Sequence, residues 1–157
     1  LPFDPILFLK LAQELYVKDY YKIEEAARRT SISRAYYAVF LILRESIRNK
    51  LTNLQPMYTY FIEVAKYGLI HSCIREILQK TNMFMGKMYS RLSFLRKKSD
   101  YELNTTIGHK EVEEALRIAK RILEEKDILD KGLTTMEVYN VILKNYITLQ
   151  KSKKTFI

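Results

Sequence analysis

The chain is poor in residues that break or turn a backbone: four glycines and three prolines in 157 residues, with no tryptophan. That scarcity argues against a β-sandwich or barrel, whose strands need frequent tight turns. A single cysteine, Cys73, excludes an internal disulfide. Its place in the apolar series Ile70, Cys73, Ile74, Ile77 predicts a buried thiol. No apolar run approaches the roughly 20 residues of a transmembrane helix, so no membrane association is expected. The opening Leu1-Pro2-Phe3-Asp4 lacks the basic region of a secretory signal, and the expected location is the cytoplasm. With only two histidines, His71 and His109, no cluster has metal-ligand spacing, and there is no glycine-rich phosphate loop. No metal and no cofactor is expected.

What is present favours helices. Hydrophobic residues make up 48% of the chain, enough for a real core at this length. Leu, Ile, Glu, Lys and Arg are good helix formers. The net charge of +9 favours polyanionic partners, nucleic acid first and an acidic protein second. Asp4-Pro5 predicts the start of a helix running through Leu7, Phe8, Leu11, Ala12 and Leu15 to about Lys18. A short break at Asp19-Tyr20-Tyr21 precedes a second helix over about 22–51. Thr52 to Pro56 is a turn. A third helical region covers about 57–79, with Gly68 as a point of division. A fourth helix covers about 83–99, with Phe84, Met88, Leu92 and Leu95 on one face, and a polar loop spans about 102–108. The fifth helix is marked by Val112, Ala115, Leu116, Ala119, Ile122 and Leu123 at helical period, with Glu111, Glu113 and Glu114 in its first turns. Thr134-x-x-Glu137 reads as a capping box for a sixth helix to about Gln150, followed by a frayed basic tail. The expected architecture is all-α: one domain over residues 1–157, a bundle of five to six helices.

Three groups of residues are candidates for chemistry. On the second helix Ile32, Ala35, Tyr36, Val39, Ile42, Leu43 and Ile47 form a core stripe, while Arg34, Tyr37, Leu41, Arg44 and Arg48 lie on the other side. A half-buried arginine needs a carboxylate, a carbonyl or a phosphate, so Arg34 is either a structural partner or an anion site. The second group is Leu95-Arg96-Lys97-Lys98-Ser99-Asp100-Tyr101, closing the fourth helix. There Asp100 either locks two helices together through Arg34 or Arg96, or borders an Arg–Tyr site facing a groove. The third is Lys87, Arg91, Phe94 and Lys98 on one face of the fourth helix, with Lys97 nearby. Such a stripe suits a phosphate backbone with one stacked base, and equally an ordinary solvated face.

The segment Ser33-Arg34-Ala35-Tyr36-Tyr37-Ala38-Val39-Phe40, followed some sixty residues later by Leu95 to Tyr101, resembles the HEPN domains. It is most similar to the small stand-alone branch whose fourth helix ends in Arg-x-x-Ala-Asp-Tyr; here Ser99 holds the alanine position. Glu113-Glu114-Ala115-Leu116 also looks like that branch, and the likeness covers roughly residues 5–126. The resemblance implies an up-and-down core bundle over about residues 4–126, with the helix at about 134–150 as an addition. It implies a homodimer associated with RNA. Many members are metal-independent endoribonucleases, including toxins paired with a small nucleotidyltransferase, and their active site is Arg-x(4–6)-His, assembled twice across the dimer.

This chain departs from that pattern. Arg96 is followed five residues later by Tyr101, not histidine. His109 is too far along, and His71, near a position where related members often carry a histidine, has no arginine at the required distance before it. Attack by a 2′-hydroxyl needs a group that exchanges protons near neutral pH, as histidine does at about 6.5; tyrosine, at about 10, is a poor base. An arginine still stabilises phosphate charge. The expected ribonuclease set is Arg96 with Tyr101 or His71, and binding survives the departure more easily than cleavage. The alternative is a non-catalytic, dimeric helical interaction module that uses the same groove to hold an acidic protein or a nucleotide.

Overall fold

The computed structural model describes residues 3–18, 23–133 and 135–155, with backbone alone at 128, 129, 154 and 155. Every regular element among the described residues is an α-helix, as the scarcity of breakers predicts. Helix α1 spans Ile6–Val17. Asp4 Oδ1 accepts the Ile6 N–H at 3.0 Å, so the helix opens one residue later than expected, with Pro5 at its boundary. The expected break at Asp19-Tyr20-Tyr21 lies outside the described residues. Helix α2 spans Glu24–Leu51, with Glu24 and Glu25 in its first turn and Arg48 and Lys50 in its last, each sign matching the helix dipole.

Gly68, at φ 81°, adopts a left-handed conformation open to glycine at little cost. It divides the third helical region into α3 (Met57–Lys66) and α4 (Ile70–Thr81). Helix α5 spans Met83–Tyr101, and Asn82 Oδ1 caps it by accepting the N–H of Phe84 at 3.1 Å and Met85 at 3.2 Å. Helix α6 spans His109–Glu124. Helix α7, Lys126–Gly132, was not foreseen; with the division at Gly68 it brings the described helices to eight rather than five or six. Helix α8 spans Met136–Thr155. Thr134 lies outside the described residues; the neighbouring Thr135 hydroxyl accepts the Val138 N–H at 3.4 Å. The tail expected to fray is helical instead, because Lys153 donates to Glu63 Oε2 at 3.2 Å and lies 4.1 Å from the centre of the Tyr67 ring.

The chain divides into two compact units, residues 1–42 with 88–125, and 43–87 with 126–157. In the first, α1 packs on α6, and Ser31 Oγ donates to the Ala12 carbonyl at 2.7 Å. Ile32, Ala35, Tyr36 and Val39 are buried as predicted, but so are Ser31, Ser33, Ala38 and Phe40, leaving α2 little polar face along this stretch. On α1, Leu9 and Ala12 are buried while Leu7 and Leu11 face outward. Val112, Ala115, Ile118, Ala119 and Ile122 form the buried face of α6.

In the second unit α8 packs on α3 and α4, and α4 on α3 and α7. Tyr60 and Tyr146 stack at 4.2 Å. A Cβ on Gly86 would lie 2.7 Å from the Gln79 backbone, so α4 and α5 meet where only glycine fits. Cys73 is buried as expected, and burial pushes its thiol up to about 12, which leaves it chemically inert. The apolar face of α5 differs from expectation: Met85, Tyr89, Leu92 and Leu95 are buried and Phe84 is exposed. No helix among the described residues is long and apolar enough to cross a membrane.

Candidate arginine–tyrosine site

The last turns of α5 set the geometry. Arg96 and Asp100 are one turn apart on a helix, and Arg96 Nε approaches Asp100 Oδ2 to 2.7 Å, with side chains 16% and 23% exposed. This contact is an ion pair rather than an aligned hydrogen bond, since Nε–H finds no directed acceptor. Arg96 Nη2 donates to the Tyr37 hydroxyl at 2.9 Å. The guanidinium lies 5.0 Å from the ring centre of Tyr101, 5.4 Å from Tyr37 and 5.8 Å from Tyr36. Burial works against its charge, but Tyr37, Asp100 and Tyr101 outweigh that and hold its pKa above the usual arginine value. Ser33 Oγ donates to Asp100 Oδ2 at 3.4 Å. Of the two arginines that Asp100 was expected to choose between, it pairs with Arg96.

Arg34 is held differently. Its guanidinium lies 5.0 Å from the Phe8 ring centre and 6.0 Å from that of Tyr37, and it has no ion-pair partner among the described residues. Phe8, Arg34, Tyr37, Arg96 and Tyr101 therefore alternate ring and guanidinium across α1, α2 and α5. Tyr101 closes the series, 67% exposed. Tyr36 belongs to the scaffold: it is buried, its hydroxyl lies 3.0 Å from that of Tyr89, and burial raises its pKa despite the Tyr89 and Ser93 hydrogen bonds.

The remaining candidates are distributed along α4 and α5. His71 stands half-buried in the first turn of α4, in the second unit, whereas Arg96 belongs to the first. Lys87 is exposed, in the second unit. Arg91 makes two hydrogen bonds of 2.8 Å to the Glu114 carboxylate and lies 5.3 Å from the Phe94 ring centre. Lys98 pairs with Glu111 at 3.1 Å. Lys97 and Phe94 are exposed. The basic stripe is thus partly neutralised by α6.

Two clusters escaped sequence reasoning. Arg29 Nη1 donates to the Ser99 carbonyl at 2.7 Å, Nη2 to those of Glu102 at 3.3 Å and of Thr105, and Nε to Glu25 Oε1 at 3.1 Å. Arg28 Nε donates to the Ile107 carbonyl at 2.6 Å and pairs with Glu24. These side chains hold the loop after Tyr101 and so fix the end of α5; the Glu24/Arg28 and Glu25/Arg29 spacing was their visible signal. The second cluster borders a cavity of about 220 Å³ lined by Leu15, Tyr16, Lys18 and Ala27 among others. There His109 Nε2 lies 3.2 Å from Glu24, and the Tyr16 hydroxyl donates to Glu113 at 2.5 Å.

The groups in contact with Arg96 are one carboxylate and three phenol rings, a set suited to binding charge and flat rings rather than to moving protons near neutral pH. Fold and site together define an all-helical protein with an arginine–tyrosine face. Over 119 residues the chain is 33% identical to the uncharacterized protein MJ0628 of Methanocaldococcus jannaschii, covering 71% of each chain, and it belongs to the same family. No protein-family model matches the chain, and no solved structure does.

Proposed function

We propose that this protein is a HEPN-like, RNA-associated protein that works as a homodimer and whose ribonuclease site is atypical or degenerate. The observation that carries the reading is the alternation of Arg34 and Arg96 with the rings of Phe8, Tyr37 and Tyr101. Guanidinium groups take phosphates and exposed rings take bases, the two features that single-stranded nucleic acid presents in turn. A small nucleotidyltransferase is the matching partner if the protein is the toxin half of a toxin–antitoxin pair. If it cuts RNA, Arg96 stabilises the phosphate while Tyr101 assists proton transfer.

Binding and cutting are tested together, with labelled RNA in a chelator-containing buffer. The expected result is binding that weakens steeply with salt through counterion release, and cleavage no greater than that of Arg96→Ala. Metal-independent cleavage lost in Arg96→Ala would restore a working ribonuclease. Absent or salt-insensitive binding would remove the RNA reading. It would favour a protein-binding module, which the exposed apolar residues Phe3, just before α1, and Leu7 and Leu11 on it, each more than 40% exposed, also suit.

A further inference from the structure

Within the arginine–tyrosine face the two guanidinium groups are not equivalent. Arg96 has its counter-charge at 2.7 Å on its own helix and a hydroxyl acceptor at 2.9 Å. Arg28, Arg29, Arg91 and Arg121 of the same unit each have a carboxylate within ion-pair distance. Arg34 has none among the described residues, and no hydrogen-bond acceptor for it is found among them. Its guanidinium instead lies against the rings of Phe8 and Tyr37. Ring contacts satisfy the flat faces of a guanidinium but not its N–H edge, which carries five donors. None of the Arg34 nitrogens is among the buried polar atoms left without a partner, so the N–H edge is open to solvent and to an acceptor that arrives from outside. A ring-walled guanidinium is also weakly hydrated, which favours a bidentate phosphate contact.

We propose that Arg34 is the phosphate-binding group of this face, and that Arg96 is a positioning residue that sets Tyr37 and Tyr101 beside it. The ligand is a phosphodiester of single-stranded RNA. Arg34 takes a non-bridging oxygen pair, and the exposed Tyr101 ring offers a neighbouring base a surface to stack on. This inference rests on the RNA reading above and assigns its contact to a residue that the HEPN-like pattern would leave in the scaffold.

The test measures anisotropy of a labelled, unstructured RNA oligonucleotide over a series of salt concentrations. The proteins are the full chain, Arg34→Gln, Arg34→Lys and Arg117→Gln, the last removing the same charge from an exposed site on α6. Arg34→Gln should weaken binding about tenfold and reduce the slope of log affinity against log salt by about 0.7, one phosphate contact on a single strand. Arg34→Lys should keep the slope while weakening binding, since a point charge replaces a fork. Arg117→Gln should change affinity less than about twofold. Thermal melts show that each variant is folded; should Arg34→Gln unfold, Arg34→Lys against Arg117→Gln decides. If the full chain binds with a steep salt dependence but both Arg34 variants match Arg117→Gln, the assignment to Arg34 is wrong and the RNA reading stands. If the full chain does not bind, both fall.

Discussion

Asp100 has two effects that separate on substitution. It supplies the counter-charge of Arg96 at 2.7 Å, with both side chains less than a quarter exposed. It also cancels positive charge on the face proposed to meet RNA. Asp100→Asn keeps the shape and removes the charge. It leaves Arg96 partly desolvated beside neutral groups, which should cost about 1–2 kcal/mol. For a chain of this size that is a fall of roughly 2–8 °C in Tm, read by calorimetry. Binding should move the other way: freeing one cation on the face should raise RNA affinity about two- to fivefold at low salt. A variant that loses both stability and affinity would show that Asp100 shapes the face rather than offsetting its charge. The pair was visible in the sequence as an i,i+4 spacing on a helix. The contact from Arg96 to Tyr37 joins residues far apart in the chain, and only packing creates it. The carbonyls gripped by Arg29 carry no residue identity at all, so no pattern of side chains points to them.

The seam between α5 and α6 is tied by the pairs Arg91–Glu114 and Lys98–Glu111, and Glu25 joins α2 to the same region through Arg29 and the Ile107 N–H. Hydrogen bonding by Arg91, Lys98 and Arg29 respectively is the leading cause that holds Glu114, Glu111 and Glu25 below the ordinary carboxylate value of 4.5. A carboxylate whose pKa is depressed by folding stabilises the native state above its unfolded pKa, and loses that contribution as pH falls through the folded value. The Tm should therefore hold from pH 7 to about 5 and then decline as pH drops below the ordinary value. Glu114→Gln should melt lower at pH 7 and decline less in the acid range; equal declines in both proteins would rule out this origin. Elements with one buried face were the legible ones. Helix α6 was read closely because its apolar residues recur at helical period, although Ile118 is buried and Leu116 only half-buried. On helix α2 the core stripe is legible apart from the half-buried Ile42, and Arg34, Tyr37, Leu41, Arg44 and Arg48 are all half-buried on the other side; the burial of Ser31, Ser33, Ala38 and Phe40 is what polarity contrast does not announce. Helix α7 is seven residues long, too short to show a period, and the last turn of α8 is held by Glu63 and Tyr67, which no local pattern announces.

At the scale of the whole molecule, the net charge of +9 and the apolar outer stripe of α1 with the preceding Phe3 make opposite demands on salt. Protomers of like charge repel, and salt screens that repulsion. Burial of Phe3, Leu7 and Leu11, which are 44%, 46% and 42% exposed, gains strength from the apolar effect and does not weaken as ionic strength rises. The proposed dimer, if built on this stripe, should therefore tighten with salt while RNA binding loosens. A stable interface buries about 800 Å² per partner, more than three side chains supply, so neighbouring surface must join them. Sedimentation of the full chain from low salt to about 0.5 M should show the dimer fraction rising as screening takes hold. The double variant Leu7→Glu, Leu11→Glu decides the cause. It lowers the net positive charge, which by electrostatics alone should help association, yet it places two carboxylates in the apolar stripe. Loss of the dimer in this variant, with the helical signal unchanged, places the stripe in the interface. A variant that dimerises as well as the parent, or better, would place the interface elsewhere.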